Sequence, residues 1–239
     1  MLHGISPTLM PTEPYNPLDK LNLAKSIEIE LLSEKVEPLG SSEHVIGSGI
    51  YAIYYTGNFK PYVPIAEANA NDGFTQPIYV GKAIPKGGRK GGFSKVSWSG
   101  KALADRLRQH ATSVEEVSNL KVSDFFFRHL VVDDIWIPLG ENMLIETFQP
   151  IWNRALDGFG NRDPGRRRAT QFKSPWDVLH PGRKFAEKLG DGGMTQEFLE
   201  QRIRDYLAGR PLAKLPRKIV EQQMVQALEA EEGADEVEL

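Results

Sequence analysis

The sequence predicts a mixed α/β (α+β) fold in which a small three-stranded sheet is flanked by helices, with helical and loop extensions at both ends. Three short segments, at residues 48–56, 78–82 and 124–133, are rich in the aromatic and β-branched residues typical of strands. Between and around them lie longer segments whose apolar residues recur at helical spacing. These two patterns together predict the fold class.

The first helix is predicted over residues 18–33, where leucine, isoleucine and alanine recur at helical spacing, and Pro38 and Gly40 follow its end. Before this helix, several prolines predict an extended arm over residues 1–16. Between the first two strands, residues 57–77 contain proline, asparagine, aspartate and glycine, and they predict a long connection.

A glycine-rich basic loop, PKGGRKGGFSKVSWSG at residues 85–100, follows the second strand. Its bare backbone can approach a phosphate closely. Residues 101–111 predict an amphipathic helix, and residues 113–119 predict its continuation with Ser113 as a cap.

Three further features follow the third strand. A helix is predicted over residues 138–149, with Pro150 at its end, and a second loop rich in glycine and arginine, GFGNRDPGRRR, comes after it. Residues 195–208 predict a helix that Thr195 caps. Pro216 begins a last predicted helix, which leads into an acidic tail.

The composition excludes several classes of protein. The chain has no cysteine, which excludes disulfides and every thiolate metal site, including Cys-rich zinc fingers. Any zinc would need histidines and carboxylates, and because the five histidines are scattered along the chain we expect no zinc. No apolar run approaches the ~20 residues that span a bilayer, so we expect no membrane association. The N-terminus lacks the pattern of a signal peptide. We therefore expect a cytoplasmic protein.

The charge is unevenly distributed along the chain. The net charge is −3, but the tail at residues 229–239 holds six acidic residues and no basic one. Between Lys82 and His110, by contrast, there are eight lysines and arginines and one aspartate. Such a concentrated positive segment suits phosphate binding, although runs of lysine and arginine are often only solvated surface.

Two tyrosines stand in glycine-flanked strands, in the segments Gly49-Ile50-Tyr51 and Tyr79-Val80-Gly81. A single strand tyrosine is typically a half-buried packing residue. On the helix after the second strand, Arg106 and His110 are four residues apart and share a face, an arrangement also found on solvated helix faces.

A later segment, ENMLIETFQPIWN, adds Glu141 and Glu146 ahead of Asn153. Together with the tyrosine strands and the Arg-His helix, this order over roughly residues 47–153 resembles the GIY-YIG nuclease superfamily, with Val80 in place of the middle isoleucine. The resemblance implies a mainly antiparallel sheet in which the two tyrosine strands pair and bring both hydroxyls into one cleft. It also implies hydrolysis of DNA phosphodiester bonds.

The resemblance implies a role for each of these side chains. Arg106 contacts the scissile phosphate and stabilises the negative charge of the transition state. His110 accepts a hydrogen bond from Tyr51 and draws its proton as Tyr51 activates a water molecule. Tyr79 positions the nucleophile or the phosphate, although the sequence leaves open which tyrosine is the base. Lys82 either reaches the phosphate, helps to polarise the nucleophile, or is a surface lysine.

The resemblance also implies one metal-binding glutamate on the helix before Asn153. Glu141 lies twelve residues before Asn153, a spacing like that of the family, and Glu146, seven residues before it, is the alternative. A single carboxylate suits one Mg²⁺ per active site, with Mn²⁺ as a substitute, because Mg²⁺ keeps much of its hydration. Asn153 fixes the edge of the site by hydrogen bonds or is a simple turn residue.

The interval between Tyr51 and Tyr79 is 28 positions, longer than the superfamily commonly has, and it indicates an inserted loop. In this respect the chain is similar to the type II restriction endonucleases of the superfamily, and specifically to enzymes that cut CCGCGG. A palindromic double-stranded DNA target implies a twofold homodimer with one active site per subunit. The candidate DNA contacts, to guanine edges or to phosphates, are Lys82, Arg89, Lys90, Arg162, Arg166, Arg167 and Arg168.

The expected organisation has four parts. Residues 1–46 form an N-terminal arm and helix, and residues 47–153 form the nuclease core with its inserted loop. Residues 154–228 form a C-terminal extension for DNA binding or dimerisation, and residues 229–239 form the acidic tail. Three other functions stay open: a homing or repair nuclease of the same superfamily, a catalytically inactive DNA-binding module on this fold, and an RNA-binding protein that uses the tyrosines for stacking.

Overall fold

The sheet of this protein has four antiparallel strands and lies between two layers of helices. A computed structural model describes residues 16, 19–84, 99–161 and 171–225. The strands are β1 (Glu37–Pro38), β2 (Gly49–Tyr55), β3 (Pro77–Ala83) and β4 (Phe125–Val131), in the order β1-β4-β2-β3. The predicted α/β class and its three strands are confirmed. The fourth strand, β1, has only two residues, too few to produce a pattern in the sequence.

Most of the described helices lie where the sequence predicts helices, but three short ones, at residues 63–68, 151–154 and 175–179, have no counterpart among the predicted helices. The helices are α1 (Lys20–Ser33), α2 (Val63–Ala68), α3 (Ala102–Glu116), α4 (Ile137–Phe148), α5 (Ile151–Arg154), α6 (Pro175–Leu179) and α7 (Gln196–Leu207), followed by helical residues 217–225. Thr195 caps α7 as predicted, because its hydroxyl accepts a hydrogen bond of 3.2 Å from the Phe198 amide. None of the helices in the described ranges is long and apolar enough to cross a membrane.

One local prediction was wrong. Ser113 does not cap a separate helix but lies inside α3, because His110, Ala111 and Val114 continue the buried face through this position. The predicted long connection between the two tyrosine strands is present, and it contains a 3₁₀ turn and the helix α2. Other predictions lie outside the described residues: most of the N-terminal arm, positions 85–98 of the basic loop, and the acidic tail.

Both faces of β2 are buried, and all seven of its residues have little or no exposure. Tyr51, Ile53 and Tyr55 point to a large core that contains residues of α3, α5, α6 and α7. Ile50, Ala52 and Tyr54 point to a smaller core on the opposite face, formed with residues of α1 and α4. A central strand covered on both faces has no solvent side, and this explains the continuous apolar run GIYAIYY.

The C-terminal residues share the core of the sheet. Phe159, Trp176, Leu199 and Ile203 belong to the same buried cluster as Tyr51. The division of the chain at residue 154 stays a prediction, but the described residues beyond it pack directly on the residues before it.

A buried hydrogen-bonded chain joins the 57–77 connection to the C-terminal half. The Tyr62 hydroxyl lies 2.6 Å from Nε2 of His180 and accepts a hydrogen bond of 2.9 Å from the Trp152 indole. Nδ1 of His180 lies 2.9 Å from Oδ1 of Asn119, which can only accept, so this ring nitrogen carries the proton. Burial lowers the pKa of His180 from 6.5 to about 3, and the nearby Arg183 charge acts in the same direction.

We predict that His180 makes the protein less stable in acid. Its pKa is lowered on folding, so between about pH 6.5 and pH 3 the unfolded chain binds a proton that the folded chain does not. The free energy of unfolding therefore decreases as the pH is lowered through this range. From pH 7 to pH 5 the loss is about 2 kcal/mol. Urea unfolding of wild type and His180→Gln at both pH values measures it, and the variant should lose this part of the dependence.

The comparison of the two proteins also controls for Asp157. Burial raises the pKa of this carboxyl to about 6, which gives the opposite sign, but the group is present in both proteins and cancels in the difference. An identical pH dependence of wild type and His180→Gln would contradict the prediction.

Candidate active site

The Tyr51 hydroxyl contacts the imidazole of His110 in the core of the protein. The distance between the hydroxyl oxygen and Nε2 is 2.7 Å, and both side chains are almost fully buried. Tyr79 lies two residues from the position opposite Tyr51, and its ring centroid is 6.3 Å from that of Tyr51 and 5.2 Å from that of His110. The three rings that the sequence predicted to share one site are therefore neighbours.

The register of β2 and β3 makes room for this arrangement. Tyr51 pairs with Gly81, and a Cβ atom on Gly81 would lie 2.6 Å from Cζ of Tyr51 and 2.9 Å from Cε1 of Tyr79. Any side chain at position 81 would displace one of the tyrosines. The glycine of the Tyr79-Val80-Gly81 segment is therefore required by the phenol ring opposite it.

Helix α3 brings Arg106 to the two tyrosines. Its first turn is tied to the start of β2, since the Leu103 amide donates to the Gly47 carbonyl at 3.1 Å. Arg106 interacts with both tyrosine hydroxyls, and one Nη donates to the Gly160 carbonyl at 3.0 Å. Arg106 and His110 thus face the same site, one helical turn apart.

Burial determines the protonation state of the tyrosines. It raises the pKa of Tyr51 well above 10.0, and the neighbouring Tyr79 adds to this, while the positive charge of Arg106 opposes it. Burial also raises the pKa of Tyr79, again against the charge of Arg106. Both groups are therefore neutral phenols at neutral pH, and a neutral Tyr51 can donate its proton to Nε2 of His110.

The two tyrosines differ in their access to solvent. Tyr51 has no exposed surface, whereas Tyr79 is half-buried.

Helix α4 brings Glu141, and not Glu146, to this site. The Glu141 carboxylate forms an ion pair of 2.7 Å with Lys82, and its negative charge contributes to the raised pKa of Tyr51 and that of Tyr79. The Glu146 side chain is 71% exposed and pairs with Arg154. The geometry therefore favours Glu141 of the two carboxylates considered as metal ligands.

The donor set limits the kind of metal ion that the site suits. In the described part of the chain no three His, Cys, Asp or Glu residues are grouped to hold a metal ion. Glu141 is a single carboxylate that is 15% exposed and lies near the tyrosines and Arg106. One hard oxygen ligand fits Mg²⁺, because this ion keeps several waters and takes phosphate oxygens from a substrate.

Asn153 binds the backbone of strand β3 and is not merely a turn residue. Its side-chain carbonyl accepts from the Val80 amide at 2.9 Å, and its side-chain NH₂ donates to the Val80 carbonyl at 2.9 Å. Val80 lies between Tyr79 and Gly81, so this pair of bonds fixes the strand at the site.

Sequence reasoning missed two residues of the site, Phe159 and Gly160. The Phe159 ring stacks on His110 with a centroid distance of 4.4 Å and an interplanar angle of 19°, and it also meets the Tyr79 ring at 5.1 Å. The Gly160 carbonyl binds Arg106. The aromatic residue between two glycines in GFGNRD was the available signal. Six candidate DNA contacts lie outside the described residues: Arg89, Lys90, Arg162, Arg166, Arg167 and Arg168.

The antiparallel sheet, with its two neighbouring tyrosines and the Arg-His helix beside them, defines a GIY-YIG nuclease fold. A family model described as the Eco29kI GIY-YIG domain matches residues 43–207, which is more than half of the chain. The protein therefore belongs to this family of type II restriction endonucleases. No curated protein matches the chain. The family supports a restriction-type DNA endonuclease, a hydrolase that acts on DNA.

We predict that Gly81→Ala impairs DNA cleavage. The added methyl displaces Tyr51 or Tyr79, and a displacement of about 1 Å in such a site costs about 10²-fold in rate. Single-turnover cleavage of DNA measures this loss.

Gly57→Ala is the matched control. A Cβ atom on Gly57 would lie 2.7 Å from Cζ of Tyr55, so it meets a similar obstacle away from the site. Both variants should lose about 1–3 kcal/mol of stability, but only Gly81→Ala should lose activity. Equal cleavage rates for the two variants would refute the role given to Gly81.

Proposed function

We propose that the protein is a Mg²⁺-dependent type II restriction endonuclease that cuts double-stranded DNA at a short, GC-rich palindrome. CCGCGG is the first sequence to test. The enzyme acts in the cytoplasm as a homodimer, with one active site per subunit. One observation carries the proposal: a buried Tyr51–His110 hydrogen bond with Arg106 on one side and Glu141 near it.

The proposed chemistry divides the hydrolysis among these side chains. His110 accepts the proton of Tyr51, and Tyr51 takes a proton from the attacking water. Tyr79, which is half-buried, positions that water or the phosphate. The fixed positive charge of Arg106 stabilises the additional negative charge that the phosphate carries in the transition state.

Glu141 is proposed to hold the metal ion. When bound, Mg²⁺ supplies a positive charge to the phosphate oxygens. Lys82, paired with Glu141 at 2.7 Å, is close enough to the same carboxylate to contribute a second positive charge toward the phosphate. The ion pair with Glu141 supports this role over the surface role that the sequence also allowed for Lys82.

The homodimer follows from the target. A palindrome presents the same sequence on each strand, and two identical subunits related by a twofold axis put one active site on each. Arginines in the two glycine-rich segments are proposed to contact guanines, since bidentate arginine–guanine pairs suit a GC-rich site.

We predict that Tyr51→Phe abolishes cleavage while DNA binding remains. The variant keeps the ring in place but has no hydroxyl for the water, and the loss of general base catalysis lowers the rate by about 10²–10⁴-fold. Single-turnover cleavage and a gel-shift assay separate the two effects.

Tyr62→Phe is the control for the hydrogen bond itself. Tyr62 also contacts a buried histidine, His180, at 2.6 Å, so both variants lose a buried tyrosine–histidine bond. Each variant leaves buried partners of the lost hydroxyl unsatisfied and should cost about 1–3 kcal/mol of stability. Full activity of Tyr51→Phe, or equal losses for the two variants, would exclude Tyr51 as the base.

We predict that phage DNA incubated with the protein and Mg²⁺ gives discrete fragments, whose sequenced ends identify one palindrome. EDTA should stop cleavage and Mn²⁺ should restore it. Nonspecific nicking would instead favour a homing or repair nuclease. Binding without any cleavage would favour an inactive module.

Two glutamate variants complete the experiment. Glu141→Gln should lower the rate by about 10²–10³-fold, the loss typical of removing one transition-state contact. Glu146→Gln should cleave like wild type, because this side chain is exposed and pairs with Arg154. The reverse result would assign the metal to Glu146.

A further inference from the structure

We propose that Arg183 is a positioning residue of the active site, which holds the turn at residues 158–161 so that this turn orients Arg106 and His110. The inference rests on the proposed function, since it assumes that these two side chains act on the phosphate and on Tyr51. Arg183 itself touches neither the tyrosines nor Glu141 in any contact found in the described residues.

Arg183 is almost completely buried, with 1% of its surface exposed. Its guanidinium donates to three backbone carbonyls of the turn: Gly158 at 2.9 Å, Phe159 at 3.1 Å and Asn161 at 3.3 Å. The fourth carbonyl of the turn, that of Gly160, accepts from Arg106 at 3.0 Å. Two arginines therefore divide the four carbonyls of one turn between them.

The guanidinium of Arg183 is itself held on all sides. Its Nε donates to the Asp177 carboxylate at 2.6 Å, and this carboxylate accepts from the Ser174 hydroxyl at 2.6 Å. Its Cζ atom lies 4.5 Å from the centroid of the Trp176 ring and 4.8 Å from that of the Phe185 ring. The direction of its N–H groups toward the turn is therefore fixed.

The turn contacts two side chains of the site and restricts their orientation. The Phe159 ring stacks on His110, and the Gly160 carbonyl binds Arg106. The segment that carries Arg183 is also tied to the end of α3, because the Ser118 amide donates to the Pro181 carbonyl at 3.1 Å. The segment of Arg183 and the turn that it holds are therefore both connected to α3, one through Ser118 just after the helix and the other through Arg106 on it.

The chemistry of arginine explains why this position suits that residue. A buried ion pair contributes little net stability, because the desolvation of both charges offsets their attraction. A planar fork of five N–H donors, however, can bind several carbonyls in one fixed geometry, which the single ammonium of lysine cannot do. The Arg183–Asp177 pair is therefore better explained by the geometry that it imposes than by the stability that it adds.

Arg183→Lys tests the proposal, and Arg128→Lys is its matched control. Arg128 also donates to two backbone carbonyls, of Glu34 at 3.0 Å and Phe74 at 2.9 Å, and its Cζ lies 5.2 Å from the centroid of the Tyr54 ring. It lies on the other face of the sheet, away from the site. Both variants keep a positive charge but lose the planar guanidinium group that binds several carbonyls at once.

Three quantities are measured on the full-length protein. They are the single-turnover cleavage rate, the affinity for uncleaved DNA in Ca²⁺, and the NMR signals of the Arg106 side chain and the His110 ring without DNA. Arg183→Lys should lower the rate about 10²-fold, change the affinity less than about threefold, and shift both signals. Arg128→Lys should leave the rate within about twofold and the signals unchanged, although it melts at a lower temperature.

Several outcomes would overturn the proposal. They are a wild-type rate in Arg183→Lys, unchanged signals in that variant, or an equal loss of rate in Arg128→Lys. If Arg183→Lys does not fold, Asp177→Asn carries the test, because it keeps the size of the side chain but removes the charge that orients Arg183. Its rate should fall and the same signals should shift, and a wild-type result for either refutes the role.

The experiment also separates this proposal from the proposed function. If the wild-type protein cuts no DNA, the nuclease proposal fails, whereas the NMR signals still decide whether Arg183 orients Arg106 and His110. If wild type cuts DNA and the signals do not respond to Arg183→Lys, only the positioning role is refuted.

Discussion

The pairing of Tyr51 with Gly81 across β2 and β3 is the constraint on which the site depends. It places a phenol ring where the neighbouring strand has no side chain, and the hydroxyl then reaches His110 at 2.7 Å. A one-residue slip would turn Tyr51 to the other face of the sheet, toward α1 and α4. The burial of β2 on both faces opposes such a slip, because every residue of the strand would enter the wrong core.

Two side chains of the candidate site, Tyr51 and Phe159, belong to the main hydrophobic core rather than to a loop on its surface. Tyr51 and Phe159 are members of the same buried cluster as Trp176 and Leu199. The contacts that stabilise this half of the protein are therefore also those that fix the distances in the site. Mutations in the C-terminal segment are expected to affect folding and catalysis together.

The sequence predicted what depends on local patterns. Patterns within a few residues predicted the three long strands and the cap at Thr195. They also predicted that Arg106 and His110 share a face of their helix. The contact between Arg106 and Gly160 joins residues 54 positions apart, and no local pattern carries that information. Ser113 shows where a local pattern fails. Serine favours a helix cap, but α3 continues through Ser113 because the residues around it pack against the core.

The two hydrogen bonds from Asn153 to Val80 have a further consequence for assembly. β3 is an edge strand, and an exposed edge offers unpaired N–H and C=O groups to any other strand that approaches it. At Val80, in the middle of β3, a side-chain amide already occupies both groups. A second copy of the chain therefore cannot continue the sheet by pairing there, and the edge is protected against unwanted β-sheet association.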